Sequence, residues 1–251
     1  MNMATGGTNL SKEFFELLKA IGESKSKQEE DRIILKEVQT LKKKLEPPAG
    51  PSIPGQPPPA NTLLSSKKRA KEFMVRLLYV EMLGHDASFG YIKALEMTAS
   101  ASLYHKRTGY LVCGACLSPQ HEFRFMLVNQ MQRDLQSSHV LEICGGLLAA
   151  SSLITPDMVP AVSGEVNKLL SHASETVRKK AIMAMHRFHQ LSPETVTRED
   201  MLEKLRKVLC DRDPAVMGAS LNVIEAMAQI QAHTFKDLIP SLDTMIIEIG
   251  R

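Results

Sequence analysis

The stretch VRKKAIMA, residues 177–184, sets Val177, Ala181 and Ala184 at i, i+4 and i+7, one stripe of an α-helix with a small residue at its centre. The same spacing returns at His105, Gly109 and Val112, at Val140, Cys144 and Leu147, and at Val216, Ser220 and Val223. The leading residues of these triplets lie 35, 37 and 39 residues apart. A period of that length marks stacked helix pairs, each touching only its neighbours. The expected fold is therefore all-α, an α-solenoid of HEAT/armadillo-like helical repeats. A Gly, Cys, Ala or Ser at the centre of the stripe lets adjacent helices approach closely, and arrays of this kind offer long surfaces to other proteins.

Outward from the repeats, helix punctuation is consistent. Gly84 follows Met82 and Leu83, Thr155 precedes Pro156, Ser174 precedes Val177 and Asp213 precedes Pro214; Thr, Ser and Asp are N-cap residues, and Pro at a first helical position loses no hydrogen bond. About ten helices are expected between 69 and 251. Residues 10–45 predict two further helices interrupted at Gly22, with stripes Phe14, Leu17, Leu18, Ile21 and Ile34, Val38, Leu41, Leu45. In the second, Glu29, Glu30 and Asp31 at the start and Lys42, Lys43 and Lys44 at the end match the helix dipole. Seven of the thirteen prolines fall between 47 and 59, which cannot propagate a helix. The expected organisation is thus N-terminal helices over 1–46, a Pro-rich loop over 47–66, and the solenoid over 67–251, with helices resuming at about Arg69. An apolar helix, Leu238 to Ile249, lies just before Arg251 without the polar outer face of a capping repeat, so the chain is expected to be the N-terminal part of a longer trunk.

Composition narrows the function classes. With 5% aromatics and no Trp, the interior falls to Leu, Ile, Val, Ala and fourteen Met. Four cysteines without dense spacing argue for reduced thiols and against a disulfide framework. No apolar run approaches the roughly 18 residues needed to cross a bilayer. Net charge is +3, yet Lys67, Lys68, Arg69, Lys71 and Arg76 stand against Glu72 alone, a local +4. Such a run suits a solvated helix face, nucleic-acid phosphates or anionic lipid headgroups, and the scarcity of aromatics removes the stacking platforms of single-strand binders. A second cluster, Arg178, Lys179, Lys180 and Arg187, has no acidic residue between its ends.

Candidate chemistry reduces to packing. Cys113 and Cys116 have dithiol or half-zinc spacing, but no second pair follows, and Cys116 continues the stripe of Gly109 and Val112. His186 and His189 share a helix face without a third ligand, and Asp86 beside His85 reads as a cap of the next helix. No catalytic residue, metal site or cofactor is expected.

One stretch goes beyond pattern. Residues 74–97, MVRLLYVEMLGHDASFGYIKALEM, resemble the signature segment of the large subunits of heterotetrameric clathrin-type adaptor complexes, and GHDASFGYI is most similar to the epsilon branch in its plant-like form. SKSKQEEDRIILKEV (24–38), KRTGYL (106–111), VNQMQRDLQSS (128–138), VRKKAIMAMHRFH (177–189) and LCDRDPAVMGAS (209–220) extend the resemblance. It implies a non-enzymatic α-solenoid trunk packed against a sigma-type small subunit, in a complex with a beta-type large and a mu-type medium subunit. It further implies recruitment by an Arf-family GTPase, sorting of transmembrane cargo at the trans-Golgi network, and peripheral membrane contact from the cytoplasmic face. By the same resemblance, Lys67, Lys68, Arg69 and Lys71 would touch lipid headgroups. Relatives that bind acidic dileucine cargo carry an Arg where this chain has Gly22, so a dileucine pocket is not carried over. On the repeats alone, a generic helical-repeat scaffold, such as a transport receptor or nucleic-acid-associated protein, remains the alternative.

Overall fold

The computed structural model describes residues 11–45, 60–196, 199–230, 232–240 and 242–243, the side chains of 60–68, 232 and 234 excepted. Among these residues there are helices and turns and no strand. Most of the proline-rich segment, and the helix expected over Leu238–Ile249 from 244 onward, lie outside the described residues. The chain divides into two compact units, Met1–Ser118 and Pro119–Arg251.

The first unit holds α1 (Lys12–Gly22), α2 (Lys27–Leu45), α3 (Ala60–Met82), α4 (Tyr91–Thr98) and α5 (Leu103–Cys116). Helix α1 packs on α2, α2 on α3 and α3 on α5, and α4 and α5 form a hairpin. Helix α1 starts on Ser11, whose Oγ accepts from the Phe14 amide at 3.3 Å, and it ends at Gly22 as expected. It buries Phe14 edge-on against Tyr79, ring centroids 6.2 Å apart. Helix α3 begins at Ala60 rather than at about Arg69; once Pro59 is passed, nothing in ANTLLSSKK blocks helix propagation. Its end fulfils the Gly84 stop signal: Gly84 sits at φ 84°, its amide bonds to Glu81 O at 2.9 Å, and the His85 amide reaches Val80 O at 3.2 Å. This paired closure favours Gly because side chains resist that backbone region.

The second unit is a run of hairpins: α6 (Phe123–Leu135) with α7 (Val140–Leu153), α8 (Val159–Leu169) with α9 (Glu175–Leu191), then the short α10 (Pro193–Val196), and α11 (Glu199–Leu209) with α12 (Pro214–Ile230). The second helices also pack on one another, α7 on α9 and α9 on α12, which is the layered stacking of a solenoid. The seam between layers is apolar, including Leu127, Leu147, Val162, Ile182, Met185, Phe188, Leu205 and Val223, all buried. Polar links tie successive hairpins: Gln132 Nε2 donates to Ala161 O at 2.8 Å and Lys204 Nζ to Asn167 O at 3.0 Å. Asp213 caps α12, accepting from the Ala215 and Val216 amides at 2.9 and 3.0 Å. Thr155 and Ser174 stand at their expected N-cap places without a side-chain capping bond.

The repeat stripe holds with one correction. Val177, Ala181 and Ala184 are buried, as are Val216, Ser220 and Val223. In α7, however, Val140 is exposed and Cys144 half-buried, and the close-packed small residue is Gly146, where an added Cβ would stand 3.0 Å from Asp134 Cβ. Packing against Asp134 and Leu135 of α6 sets the anchor two positions after the expected Cys144. Gly109 is tighter still: a Cβ there would meet Ala94 O and the Thr98 amide at 2.7 Å.

Candidate functional site

The basic run before Arg76 does not form one cluster. Arg69 and Lys71 are exposed on α3, the side chains of Lys67 and Lys68 lie outside those described, and Arg76 points inward at 3% side-chain exposure. Its Nε and Nη2 donate to the two carboxylate oxygens of Glu37 at 2.6 and 2.7 Å, and its Nη1 reaches Glu13 and Glu72 at 3.4 Å each. Burial alone would lower the Arg76 pKa, but hydrogen bonds and charge from Glu37, then Glu13 and Glu72, raise it. Lys44 Nζ holds Glu13 at 2.7 Å, which, with Arg76, keeps that carboxyl below its ordinary value. A buried ion network therefore joins α1, α2 and α3, and its sequence signal was slight: Glu37 and Arg76 occupy apolar faces of their helices.

The second basic cluster also divides. Arg178 donates through Nε and Nη2 to the Asp211 carboxylate at 2.7 and 2.8 Å and through Nη1 to His172 O at 2.8 Å. Arg178 holds the Asp211 carboxyl below the usual range. Lys179 and Arg187 stay exposed on α9. Large apolar side chains are exposed on three helices of this unit, Leu148 at 58%, Met183 at 56% and Leu221 at 39%, with Leu141 at 68% two turns earlier on α7. Leu148 and Met183 each follow the close-packed small residue of their helix, Gly146 and Ala181, by two positions, whereas Leu221 follows Ser220 by one, about 100° round the helix, and lines a groove with Phe235, Lys236 and Ile239. Leu148 and Met183 thus occupy matching places on adjoining helices, an exposed apolar pair with Lys179 and Arg187 each one turn from Met183 on α9.

The cysteine and histidine candidates fall to packing. Cys113 is buried, and burial, then the charge of Glu81, pushes the Cys116 thiol up to about 11, far from a reactive thiolate. His189 is buried, and burial, then the charge of His186, lowers its pKa; the His186 ring nitrogen lies 3.4 Å from Gln190 Nε2. Asp86 Oδ1 accepts from the Ser88 amide at 3.0 Å in the turn before α4, but it is not the expected cap: Gly90 stands at the N-cap of α4, without a side-chain capping bond. His85 Nε2 faces Asp31 at 3.3 Å. Among the described residues no group of three or more His, Cys, Asp or Glu could hold a metal ion, and no helix is long and apolar enough to cross a membrane.

Comparison with known proteins places this geometry in a lineage. Residues 30–249 match the family model described as the adaptin N terminal region. The chain is 44% identical over 244 residues to the AP-4 complex subunit epsilon of Arabidopsis thaliana, a match covering 97% of this chain and 24% of that protein. The large chain matched in a homology model of the full-length AP-3 complex, in an intermediate open conformation, is 25% identical over 74% of this chain and 32% of its own length, with a TM-score of 0.62. A designed armadillo repeat protein matches 84% of this chain and 98% of its own length at 13% identity and a TM-score of 0.50, a likeness of fold alone.

Proposed function

This chain belongs to the adaptin N terminal region family, and from that premise we propose that it is the trunk scaffold of a heterotetrameric adaptor complex, acting in vesicle-mediated protein transport and cargo sorting without enzymatic chemistry. The chain spans 24% of the length of the Arabidopsis relative, so the activity of the whole protein enters here as proposal. The observation that carries the reading is the exposed apolar surface of Leu141 and Leu148 on α7 and Met183 on α9. A folded partner that covers it removes several large side chains from water, each worth roughly 1.5–3 kcal/mol when fully buried. A sigma-type small subunit is the proposed occupant, with beta-type large and mu-type medium subunits completing the assembly and an Arf-family GTPase recruiting it to the cytoplasmic face of the trans-Golgi network. Exposed Arg69 and Lys71, with Lys67 and Lys68 before them, are the proposed contacts for anionic lipid headgroups.

Co-purification of this chain with a sigma-type subunit tests the assembly. Leu148→Asp with Met183→Asp should abolish capture while leaving the circular dichroism spectrum intact, and undiminished capture would overturn the assignment of the face. Charge reversal at Lys67, Lys68, Arg69 and Lys71 should weaken flotation with acidic liposomes in steps, an effect that shrinks with added salt; unaltered flotation would remove the lipid assignment.

A further inference from the structure

At the last described turns of the second unit a groove of about 390 Å³ lies between α12 and the chain that follows it. Leu221, Ile224 and Ala228 form one wall, and Phe235, Ile239 and Leu242 the other. The second wall is anchored, because Phe235 and Leu238 are buried and Arg206 of α11 donates from Nη2 to Asp237 at 3.1 Å. The open edge is apolar: Ile239 is 54% and Leu221 39% exposed. From Leu221 the outward stripe of α12 continues through Gly218 to Pro214, both exposed. Among the described residues nothing stands within 4 Å of a Cβ placed on Gly218. The polar lining is one charge of each sign, Glu225 and Lys236, so the groove has no preference for a charged occupant.

We propose that residues 244–251 of this chain occupy that face, running antiparallel to α12 and seating Ile246 against Gly218 and Ile249 against Pro214. Residues 239–240 and 242–243 are helical, and the described chain reaches Asp243 beside Leu242, at the edge of the groove. The next residues are TMIIEIGR. Ile239 and Leu242 stand three apart, and continuing at four and three falls on Ile246 and Ile249, one helical stripe. Reversal of the chain after Ile230 sets Ala228 across from Phe235 and Leu221 across from Leu242, and one further turn brings Ile246 to Gly218. With no side chain, Gly218 admits a β-branched residue at close range, the part that Gly109 and Gly146 play between other helices. Two turns of helix are marginal in water alone, so Met245, Ile246, Ile247 and Ile249 gain most where an apolar face receives them. Leu221 and Ile239 leave water in the same step, which reserves them for the chain itself and leaves Leu141, Leu148 and Met183 to a partner. The inference does not depend on the adaptor reading.

Disulfide trapping in the whole chain tests the register. In a Cys210→Ser background, which removes the exposed native thiol, Gly218→Cys with Ile246→Cys should close an intrachain disulfide under copper phenanthroline. Closure should be several-fold faster than for Gly218→Cys with Glu248→Cys, whose second thiol stands two residues round the helix, because the bond forms only at short Cβ separations. Ile246→Asp with Ile249→Asp gives a second measure that needs no new thiol. Amide exchange over 217–225 should quicken by about tenfold, the change in local opening when a large apolar contact is lost, while the circular dichroism spectrum stays helical. Equal trapping of the two cysteine pairs, or exchange over 217–225 indifferent to the aspartates, would overturn the proposal. Disulfides between chains, with protection of 217–225 that fades on dilution, would assign the face to a second copy and overturn it equally. Protection that arises only when a sigma-type subunit is added would do the same.

Discussion

Replacing Arg76 with Met tests the central electrostatic feature of the first unit. The Glu37 carboxylate is 7% exposed, and both of its oxygens rest on Arg76 at 2.6 and 2.7 Å. Without the guanidinium Glu37 is left charged in a site that excludes water, whereas Glu13 keeps Lys44 at 2.7 Å and Glu72 keeps the hydroxyl of Ser11 at 2.5 Å. Breaking a buried pair from one side costs about 3–5 kcal/mol. The reverse change, Glu37→Leu, leaves Arg76 with Glu13 and Glu72 at 3.4 Å, so its cost should be smaller, roughly 1–3 kcal/mol. The double replacement removes both charges and should recover most of the loss, because a packed apolar pair of similar volume is often no worse than an ion pair. Urea unfolding followed by far-ultraviolet circular dichroism gives the four corners of the cycle, and hydrogen exchange in α1–α3 assigns the loss to this unit. A single Arg76→Met costing under about 1 kcal/mol, or a double variant no more stable than Arg76→Met, would refute the reasoning.

Gly109→Ala should destabilise by roughly 1–3 kcal/mol because its Cβ would strike backbone atoms of α4 at 2.7 Å. Gly145→Ala, with open space around it, should stabilise by roughly 0.5–1 kcal/mol through helix propensity; thermal melts of the two variants should move in opposite directions, and movement in the same direction would dismiss the close approach. Asp211 has a folded pKa below its ordinary 3.8 because Arg178 bonds to its charged form, so its stability contribution is complete above that value and is lost as acid carries the pH down through the folded pKa. Asp211→Asn should cost roughly 1–3 kcal/mol at neutral pH and flatten the acid limb of a stability-against-pH curve; an unchanged limb would contradict it. His189, held below its ordinary 6.5 by burial and then by His186, binds its proton first in the unfolded chain. Stability should therefore be complete above 6.5 and decline as pH falls through the folded value, and His189→Met should shallow that decline; an equal slope in both proteins would exclude His189 as its source.

How much of this was legible beforehand depended on whether a residue's role is set by its own helix or by another. The stripe at Val177, Ala181 and Ala184 follows from helical periodicity alone, and so does the Gly84 stop, where a left-handed residue is required locally. The anchor in α7 could not be fixed this way: Cys144, Gly145 and Gly146 are all small, and only contact with Asp134 on α6 distinguishes Gly146. Charge was misread for the same reason. Arg76 counts as one more cation in a linear run, yet its partner Glu37 stands 39 positions away and the pair forms only when α2 meets α3. Arg178 and Asp211, 33 apart, repeat the pattern one hairpin over. In a stacked-hairpin protein each such bond joins neighbouring repeats or helices, so the exposed cations that stay outside these inter-helix bonds among the described residues, such as Arg69, Lys71 and Arg212, are the ones available to an outside partner. The basic surface is accordingly a remainder of packing, and its location is fixed by which carboxylates the neighbouring helices bring within reach.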